Sequence, residues 1–413
     1  MLNQKFYVQK RKELLEAMGN RSAAIINSGK EKTASMDLDF PFEVNRNFHY
    51  LTGLSAPNMN LLIYKAFGAI KSILFIPRTD ETQEKWFGRM VKVEQAKAIS
   101  GVEDVMFIDE YEEYMYDLIN RSSIDTIYML ADPVKKGENK SYETHMYNDY
   151  HARYPFIAIK DLAALLYPMR GVKTAEEIEE IKAAGQITKQ AMERIMQNLY
   201  PGMNECEVQA DFEYVVRKNN MGLAFNTIVA AGDNGPILHS ATNCEPIEDG
   251  ELVLIDAGAR KGWYNSDVTR TFPVNGKFTQ RQKQLYEIVL LANKKVIAAA
   301  KAGVYLGDLN NIVIETYQEE LKKIGLINSP EEVSKYYYHG VSHSLGLDTH
   351  DVVYGKKPLT AGYVITVEPG IYIAEENIGI RIEDDILIKK DGCEVLTKDI
   401  IKEVADIEAY MAQ

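Results

Sequence analysis

Acidic residues stand inside segments whose other residues are apolar, and this pattern constrains the fold and the chemistry of the chain more than any other. Asp256 interrupts the strand-like run 253–258, and Asp267 directly precedes a second β-rich run. The segment 259–264, Ala-Arg-Lys-Gly-Trp-Tyr, suits the tip of a hairpin. We therefore expect the two acids to lie on neighbouring strands.

The same arrangement recurs further along the chain. Glu368 ends the run Val-Ile-Thr-Val, and Glu383 follows Gly-Ile-Arg-Ile. Ionised carboxylates are rarely buried unless they are paired or bind a cation. A strand end, or a salt bridge with Arg270 or Arg381, would explain any one of these acids. All four acids together predict a site that holds positive charge.

Histidines lie between the two pairs of acids. His339, His343 and His350 fall within one short segment, and His239 stands alone before Ser240. Imidazole and carboxylate groups together bind Zn, Mn, Fe or Co, and a set rich in carboxylates favours a harder ion such as Mn. The remaining histidines have no partnered acids nearby and are predicted to be ordinary core or surface residues: His49, His145 and His151.

The length of 413 residues predicts two domains. Residues 1–170 combine a helix near 6–18 with strands and helices in alternation, which predicts an α/β domain. The segment 167–171, Tyr-Pro-Met-Arg-Gly, is predicted to be a turn at the boundary. Residues 171–413 combine capped amphipathic helices with largely antiparallel strands, an α+β layout.

Helix starts in the second domain are predicted from capping boxes, in which a Ser, Thr, Asn or Asp is followed three residues later by Glu or Gln. This pattern occurs in the segments 174–177, 204–207 and 279–282. After the first of them, Ile178, Ile181, Ala184 and Ile187 recur at helical spacing. A long amphipathic helix is therefore expected to open the domain.

Composition limits the partners and the compartment. The formal net charge of −13 disfavours binding to a nucleic-acid backbone. No apolar run is long enough to cross a membrane, and the charged N-terminal segment does not look like a secretory signal. Three scattered cysteines fit a reducing cytoplasm and argue against a disulfide framework.

The segments that carry these acids and histidines resemble the pita-bread metallopeptidase family, which includes methionine aminopeptidase, prolidase and aminopeptidase P. The similarity spans roughly 174–400 and appears in family order in IDAGA, SDVTRTFPV, HGVSHSLGLDTHD, TVEPGIYI and GIRIEDD. It implies a creatinase/aminopeptidase-like pita-bread catalytic domain and two divalent metal ions, with Mn²⁺ expected and Co²⁺, Zn²⁺ or Fe²⁺ possible. The ligands it implies are Asp256, Asp267, His343, Glu368 and Glu383.

The resemblance also implies a role for each residue. Asp256 is expected to chelate one metal, His343 and Glu368 the other, and Asp267 and Glu383 both. A hydroxide that bridges the metals is expected to attack the carbonyl before proline, with Glu368 as proton shuttle. The aminopeptidase P branch implies further catalytic residues, which bind the oxyanion, orient the substrate or orient a ligand: His239, His339, His350 and Arg381.

The first half of the chain is similar to the smaller domain of aminopeptidase P, in DFPFEVNRNFHYLTG and in the segment around Trp86. In that branch the tryptophan of the motif WFGR lines the site of a neighbouring subunit, so Trp86 is either such a residue or a packed aromatic of its own domain. The resemblance implies a homo-oligomer, dimer or tetramer, that acts on peptides with proline in the second position. The motif WFGR and the spacing of His339 and His343 favour the aminopeptidase.

Two other functions remain open at this point. Prolidase, which cleaves Xaa-Pro dipeptides, has the same five ligands and the same two domains. Some relatives keep the fold as a binding module, but they usually lose ligands, and none is lost in this chain. The complete ligand set also disfavours creatinase-like chemistry without metal.

Overall fold

The computed structural model describes residues 2–66, 68–121, 124–130, 142–240, 242–353 and 355–413. The chain divides between Met169 and Arg170 into two compact units. Each unit has a hydrophobic core of its own.

The strands of the first unit are β1 Ser22–Asn27, β2 Thr33–Ser35, β3 Leu38–Asp39, β4 Asn60–Ala66, β5 Ala69–Ile76, β6 Asp104–Phe107, β7 Thr126–Met129 and β8 Ala158–Asp161. Six of them form a mixed sheet in the order β6-β5-β4-β1-β7-β8, and β2 and β3 form a separate hairpin. The helices of this unit are α1 Gln4–Ala17, α2 Arg46–Thr52, α3 Glu81–Phe87, α4 Val93–Ser100, α5 Tyr111–Arg121 and α6 Tyr142–Arg153.

Strand β1 runs through the middle of this sheet. Every residue of β1 is buried, because small and β-branched side chains fill both of its faces. It pairs antiparallel with β4 and parallel with β7, and Ala23 lies opposite Tyr64 on one side and Ile127 on the other. The expectation of an α/β layer domain is confirmed.

Helix α7, Ala163–Gly171, occupies the segment in which a turn was expected, so that prediction is wrong. Pro168 lies inside the helix. Leu162, just before the helix, and Leu166 within it are fully buried. Their packing outweighs the low helix propensity of proline and glycine, which local sequence alone would favour as a turn.

The second unit consists of helices and antiparallel strands, as the sequence predicted. Its helices are α8 Ala175–Asn198, α9 Glu205–Lys218, α10 Gln280–Ala299, α11 Leu306–Lys323 and α12 Val404–Met411. Its strands are β9 Gly222–Leu223, β10 Ile228–Ala231, β11 Leu252–Ala257, β12 Ala259–Lys261, β13 Tyr264–Asn265, β14 Val268–Pro273, β15 Val364–Val367, β16 Gly370–Ile373, β17 Ile378–Arg381, β18 Asp384–Ile388 and β19 Cys393–Val395.

Three helices of this unit begin at the predicted capping boxes. The N-cap side chains of α8, α9 and α10 each accept a hydrogen bond from a backbone N–H of the first helical turn, and the Glu or Gln three residues later accepts one from the backbone N–H of the N-cap residue. These bonds satisfy backbone N–H groups that the first turn leaves unpaired. Along α8, Ile181, Ala184 and Ile187 face the core. No described helix of the chain could span a membrane.

Candidate metal and catalytic site

The predicted hairpin brings the first two acids together. Asp256 lies on β11 and pairs across the ladder with Thr269 of β14, and Asp267 directly precedes β14. The connection folds back through β12 and β13, where Arg260 pairs with Asn265. Both acids therefore reach the same end of the β11–β14 pair.

The second two acids lie at strand ends rather than within strands. Glu368 follows β15, and its backbone N–H donates to the carbonyl of Val341 at 2.9 Å. Glu383 lies between β17 and β18, and its N–H donates to the carbonyl of Thr269 at 3.0 Å. Because neither residue lies within a strand, its side chain can point into a cavity instead of packing against a sheet face.

A cavity of about 640 Å³ in the second unit collects these side chains. Nine residues singled out from the sequence line it: His239, Asp256, Asp267, His339, His343, His350, Glu368, Arg381 and Glu383.

Trp86 lies in the first unit on α3, and 78% of it is exposed, so it is not a packed aromatic of that unit. His49 is buried, while His151 is exposed, as expected of core and surface histidines.

His343 lies between two carboxylates. Its Nε2 is 3.4 Å from Asp267 Oδ2 and 3.7 Å from Glu368 Oε1. Its Nδ1 contacts the carbonyl of Ser344 at 3.1 Å. Burial lowers the pKa of His343, but the two carboxylates outweigh burial and raise that pKa to about 9.

Burial raises the pKa values of three carboxyl groups in the cavity. Burial raises the pKa of Asp267 to about 6 and that of Glu368 to about 7, and the nearby charge of Asp256 adds to both shifts. The pKa of Glu383 is raised well above its usual range by burial and by the acids beside it. Several carboxyl groups in one cavity resist ionising together unless a cation neutralises them.

These residues fit a divalent metal ion. Ligand atoms of Asp267, His343 and Glu383 all lie within 4.8 Å of one another. Oδ1 of Asp256 is buried and has no hydrogen-bond partner among the described residues. A buried carboxylate oxygen without a hydrogen-bond donor is suited to bind a cation, and the mixed carboxylate and imidazole set suits a divalent metal ion.

Arg381 forms a salt bridge with one of the four acids, as the sequence suggested. Its Nη2 donates to Asp256 Oδ2 at 2.6 Å. No Lys or Arg in the described part of the chain forms an ion pair with Asp267, Glu368 or Glu383. Arg381 is the last residue of β17, and Glu383 lies beyond the end of that strand.

Thr269 links Arg381 to Glu383 instead. The Nε atom of Arg381 donates to Thr269 Oγ1 at 3.1 Å, and that hydroxyl donates to Glu383 Oε2 at 2.7 Å. Nothing in the sequence indicated that a threonine within a buried strand would link Arg381 to Glu383.

Asp385 was also missed: its carboxylate accepts from the backbone N–H of Asp267 and from the hydroxyl of Ser266, at 3.2 and 3.0 Å.

Tyr372 was missed by the sequence analysis as well, because a tyrosine in the run Gly-Ile-Tyr-Ile looks like core. Its hydroxyl accepts from Arg381 Nη1 at 3.0 Å and lies 2.8 Å from His339 Nε2. Burial lowers the pKa of His339 to about 4, so its ring is neutral near pH 7. The ring of His350 stacks on that of His343, with 4.0 Å between centroids.

The fold and the site define a metal-dependent peptidase. Residues 179–390 match the model of metallopeptidase family M24, and residues 7–128 match that of the aminopeptidase P N-terminal domain. The chain belongs to metallopeptidase family M24. It is 35% identical to the Xaa-Pro aminopeptidase of Escherichia coli strain K12, over 98% of this chain and 97% of that protein.

Solved structures show the same likeness in three dimensions. Zinc-substituted aminopeptidase P from E. coli, in complex with product, has a TM-score of 0.90 and 34% identity, covering 100% of this chain and 98% of that one. Proline aminopeptidase P II from Yersinia pestis has a TM-score of 0.90 and 36% identity, covering all of both chains. The two-part architecture, with an aminopeptidase P type N-terminal domain and a pita-bread catalytic domain, is confirmed.

Proposed function

We propose that this chain is an Xaa-Pro aminopeptidase, which hydrolyses the bond between an N-terminal residue and a following proline. One observation carries the proposal: five side chains suited to bind metal converge on one cavity, in a chain similar over nearly its whole length to an Xaa-Pro aminopeptidase. The substrates are peptides with proline in the second position.

Divalent metal ions follow from membership of the family. The residues that would hold two of them are Asp256, Asp267, His343, Glu368 and Glu383. Mn²⁺ is the proposed metal because carboxylates dominate the set, although Co²⁺, Zn²⁺ and Fe²⁺ accept the same donors. Such ions, when bound, lower the pKa of water and stabilise negative charge that develops on the substrate carbonyl.

Glu368 is the proposed proton shuttle. Burial raises the pKa of its carboxyl group to about 7, which lets it both accept and release a proton near neutral pH. Its Oε2 lies 3.9 Å from His339 Nδ1, and its Oε1 faces His343. Glu368 takes the proton of the attacking water and passes it to the proline nitrogen.

Two of the other polar residues of the cavity contact the substrate, and two hold neighbouring side chains in place. His350 stands at its exposed side and would donate to the oxygen that gains charge, while His239 lies near the leaving proline. Both ring nitrogens of His339 already have partners, so we assign it to orienting Tyr372. Arg381 holds Asp256 in place. A proline leaving group carries no N–H and therefore needs no acceptor in the cavity.

Prolidase is not favoured, because the similar proteins described above are Xaa-Pro aminopeptidases. The binding-module alternative is disfavoured because no ligand-type residue is missing from the cavity.

We propose 1–170 and 171–413 as the two domains. The free thiols of all three cysteines support a cytoplasmic location.

A homo-oligomer, dimer or tetramer, is also proposed. Trp86 and Phe87 on α3 are 78% and 84% exposed, and a second copy of the chain would cover them. In such an assembly Trp86 would line the site of a neighbouring subunit. Light scattering of the protein and of Trp86→Ala measures the oligomeric state. The KM of both proteins for a tripeptide tests whether Trp86 lines a neighbouring site.

The function is tested by removing metal, adding Mn²⁺ back, and comparing an Xaa-Pro dipeptide with an Xaa-Pro-Yaa tripeptide. Metal-dependent release of the first residue from the tripeptide is expected. Cleavage of the dipeptide alone would identify a prolidase. Bound metal without cleavage of either peptide would leave only a binding module.

A further inference from the structure

Asp351, the residue after His350, is buried between two cations of the second unit. Its Oδ1 accepts from Arg170 Nη2 at 2.5 Å, and its Oδ2 accepts from Lys173 Nζ at 3.0 Å. The three side chains are each 1% exposed. Arg170 also donates to Asp348 Oδ2 at 2.8 Å, so one guanidinium joins two residues on either side of His350.

The backbone around His350 is tied down at further points. The N–H of Asp351 donates to the carbonyl of Ser344 at 2.8 Å, and Thr349 Oγ1 donates to the carbonyl of Ala224 at 3.2 Å. No helix or strand includes these residues. The side-chain contacts of the flanking residues therefore hold this segment in place of the backbone hydrogen bonds that hold a regular helix or strand.

The ring of His350 has little support of its own. Among the described residues nothing forms a hydrogen bond with it, and its ordered contact is the stack on His343. Its position in the cavity depends on the backbone of residue 350. That backbone is fixed by its neighbours, of which Asp351 carries the most deeply buried contacts.

We propose that Asp351 is a positioning residue for His350, held by Arg170 and Lys173 so that the imidazole reaches the substrate carbonyl in one orientation. The proposal rests on the proposed function, because peptide hydrolysis gives His350 its task. A displacement of about 1 Å in a group that binds the transition state costs on the order of 100-fold in rate.

Space around the carboxylate decides which variant tests this. A Cβ atom placed on Gly346 would lie 2.2 Å from Asp351 Oδ2, so a longer glutamate has no room. Asparagine has the same shape, but it removes the charge and turns an N–H₂ group towards a buried cation. Asp351→Asn therefore weakens the anchor without opening a cavity.

The experiment is a double-mutant cycle on the full chain with Mn²⁺ and an Xaa-Pro-Yaa tripeptide. Asp351→Asn is expected to lower kcat by about 10- to 100-fold with metal content unchanged. In a His350→Ala background the same substitution should change kcat by less than about 2-fold, because its effect passes through the missing imidazole. Asp211→Asn, which removes an ion pair with Arg194 (2.6 Å), is the matched control and should stay within about 2-fold.

An equal loss of kcat in both backgrounds would overturn the proposal, and so would a loss of bound metal in Asp351→Asn. If Asp351→Asn does not fold, Lys173→Met repeats the cycle, because it leaves the contact between Arg170 and Asp351 in place. It should cause a smaller loss that likewise vanishes in the His350→Ala background. No turnover by the unsubstituted chain would overturn the proposed function, whereas turnover unaffected by Asp351→Asn would overturn this inference alone.

Discussion

Tyr372 donates its hydroxyl hydrogen to Nε2 of His339 across 2.8 Å. The direction follows from the other contacts of the ring. His339 Nδ1 lies 2.7 Å from the carbonyl of Gly340, which can only accept, so Nδ1 carries the hydrogen of the neutral imidazole. Nε2 is then the acceptor, and the tyrosine oxygen is free to accept from Arg381.

Tyr372→Phe should therefore uncouple His339 from Arg381. The substitution leaves a buried guanidinium N–H without its acceptor, which costs about 1–3 kcal/mol of unfolding free energy. We expect kcat/KM for a tripeptide to fall by about 10-fold, since positions of outer groups around a metal site are worth this much. Denaturant unfolding and steady-state kinetics measure the two effects.

Tyr317→Phe is the control for this substitution. Tyr317 is also fully buried in the second unit, but its hydroxyl has no hydrogen-bond partner within the described residues. Loss of that hydroxyl should leave activity unchanged and should not lower the unfolding free energy. Equal losses in both variants would contradict the relay from Arg381 through Tyr372.

Asp267→Asn should abolish metal binding and turnover together. The carboxylate faces His343, and an uncharged amide is a poor ligand for a divalent ion. We expect kcat/KM to fall by at least about 100-fold. Elemental analysis and peptide hydrolysis are measured on the same preparation. Asp406→Asn, at an exposed position in the first turn of α12, is the control and should retain metal and activity.

Full activity of Asp267→Asn would show that the cluster is not the metal site. Metal retained without activity would assign Asp267 to chemistry alone. Either result would change the proposed ligand set without affecting the fold.

Arg381→Lys should behave as a severe substitution although the charge is kept. The guanidinium donates in three directions, to Thr269, Tyr372 and Asp256. A lysine ammonium cannot span these three acceptors. We expect kcat/KM to fall by about 10- to 100-fold. The surface control is Arg281→Lys, where the pair with Glu376 is partly exposed and the loss should stay within about 2-fold. Equal behaviour of the two variants would refute the positioning role of Arg381.

The sequence revealed the acids and histidines because each breaks a local pattern. Asp256 stands in an apolar run, and a carboxylate there is costly unless it has a partner. The hairpin that carries Asp267 could be predicted because turn residues separate two strand patterns. Helix starts could be predicted for the same reason, since capping depends on residues three apart.

The remaining parts of the site could not be read from local pattern. Arg170 and Asp351 are 181 positions apart, and neither breaks a pattern in its own segment. Tyr372 and Thr269 satisfy the apolar and β-branched preferences of a strand, so their polar contacts are hidden. The helix at 163–171 formed against proline and glycine signals because buried leucines decided its conformation.

His49 predicts how acid affects the first unit. It is buried on α2, with Nδ1 3.0 Å from Ser55 Oγ and 3.3 Å from the carbonyl of Leu54. Burial lowers its pKa from 6.5 to about 4. Between these two values the unfolded chain binds a proton that the folded chain does not, so stability falls as pH falls through this window. The loss amounts to about 3 kcal/mol between pH 6.5 and pH 4.

Hydrogen exchange of the amides in α2, followed from pH 7 to pH 5, measures this loss as a falling free energy of opening. His49→Gln keeps a polar side chain of similar length but does not titrate, so its opening free energy should depend less steeply on pH. The variant can be less stable than the unsubstituted chain at pH 7, and only the slopes are compared. Parallel slopes for the two proteins would show that His49 does not control the acid sensitivity of this unit.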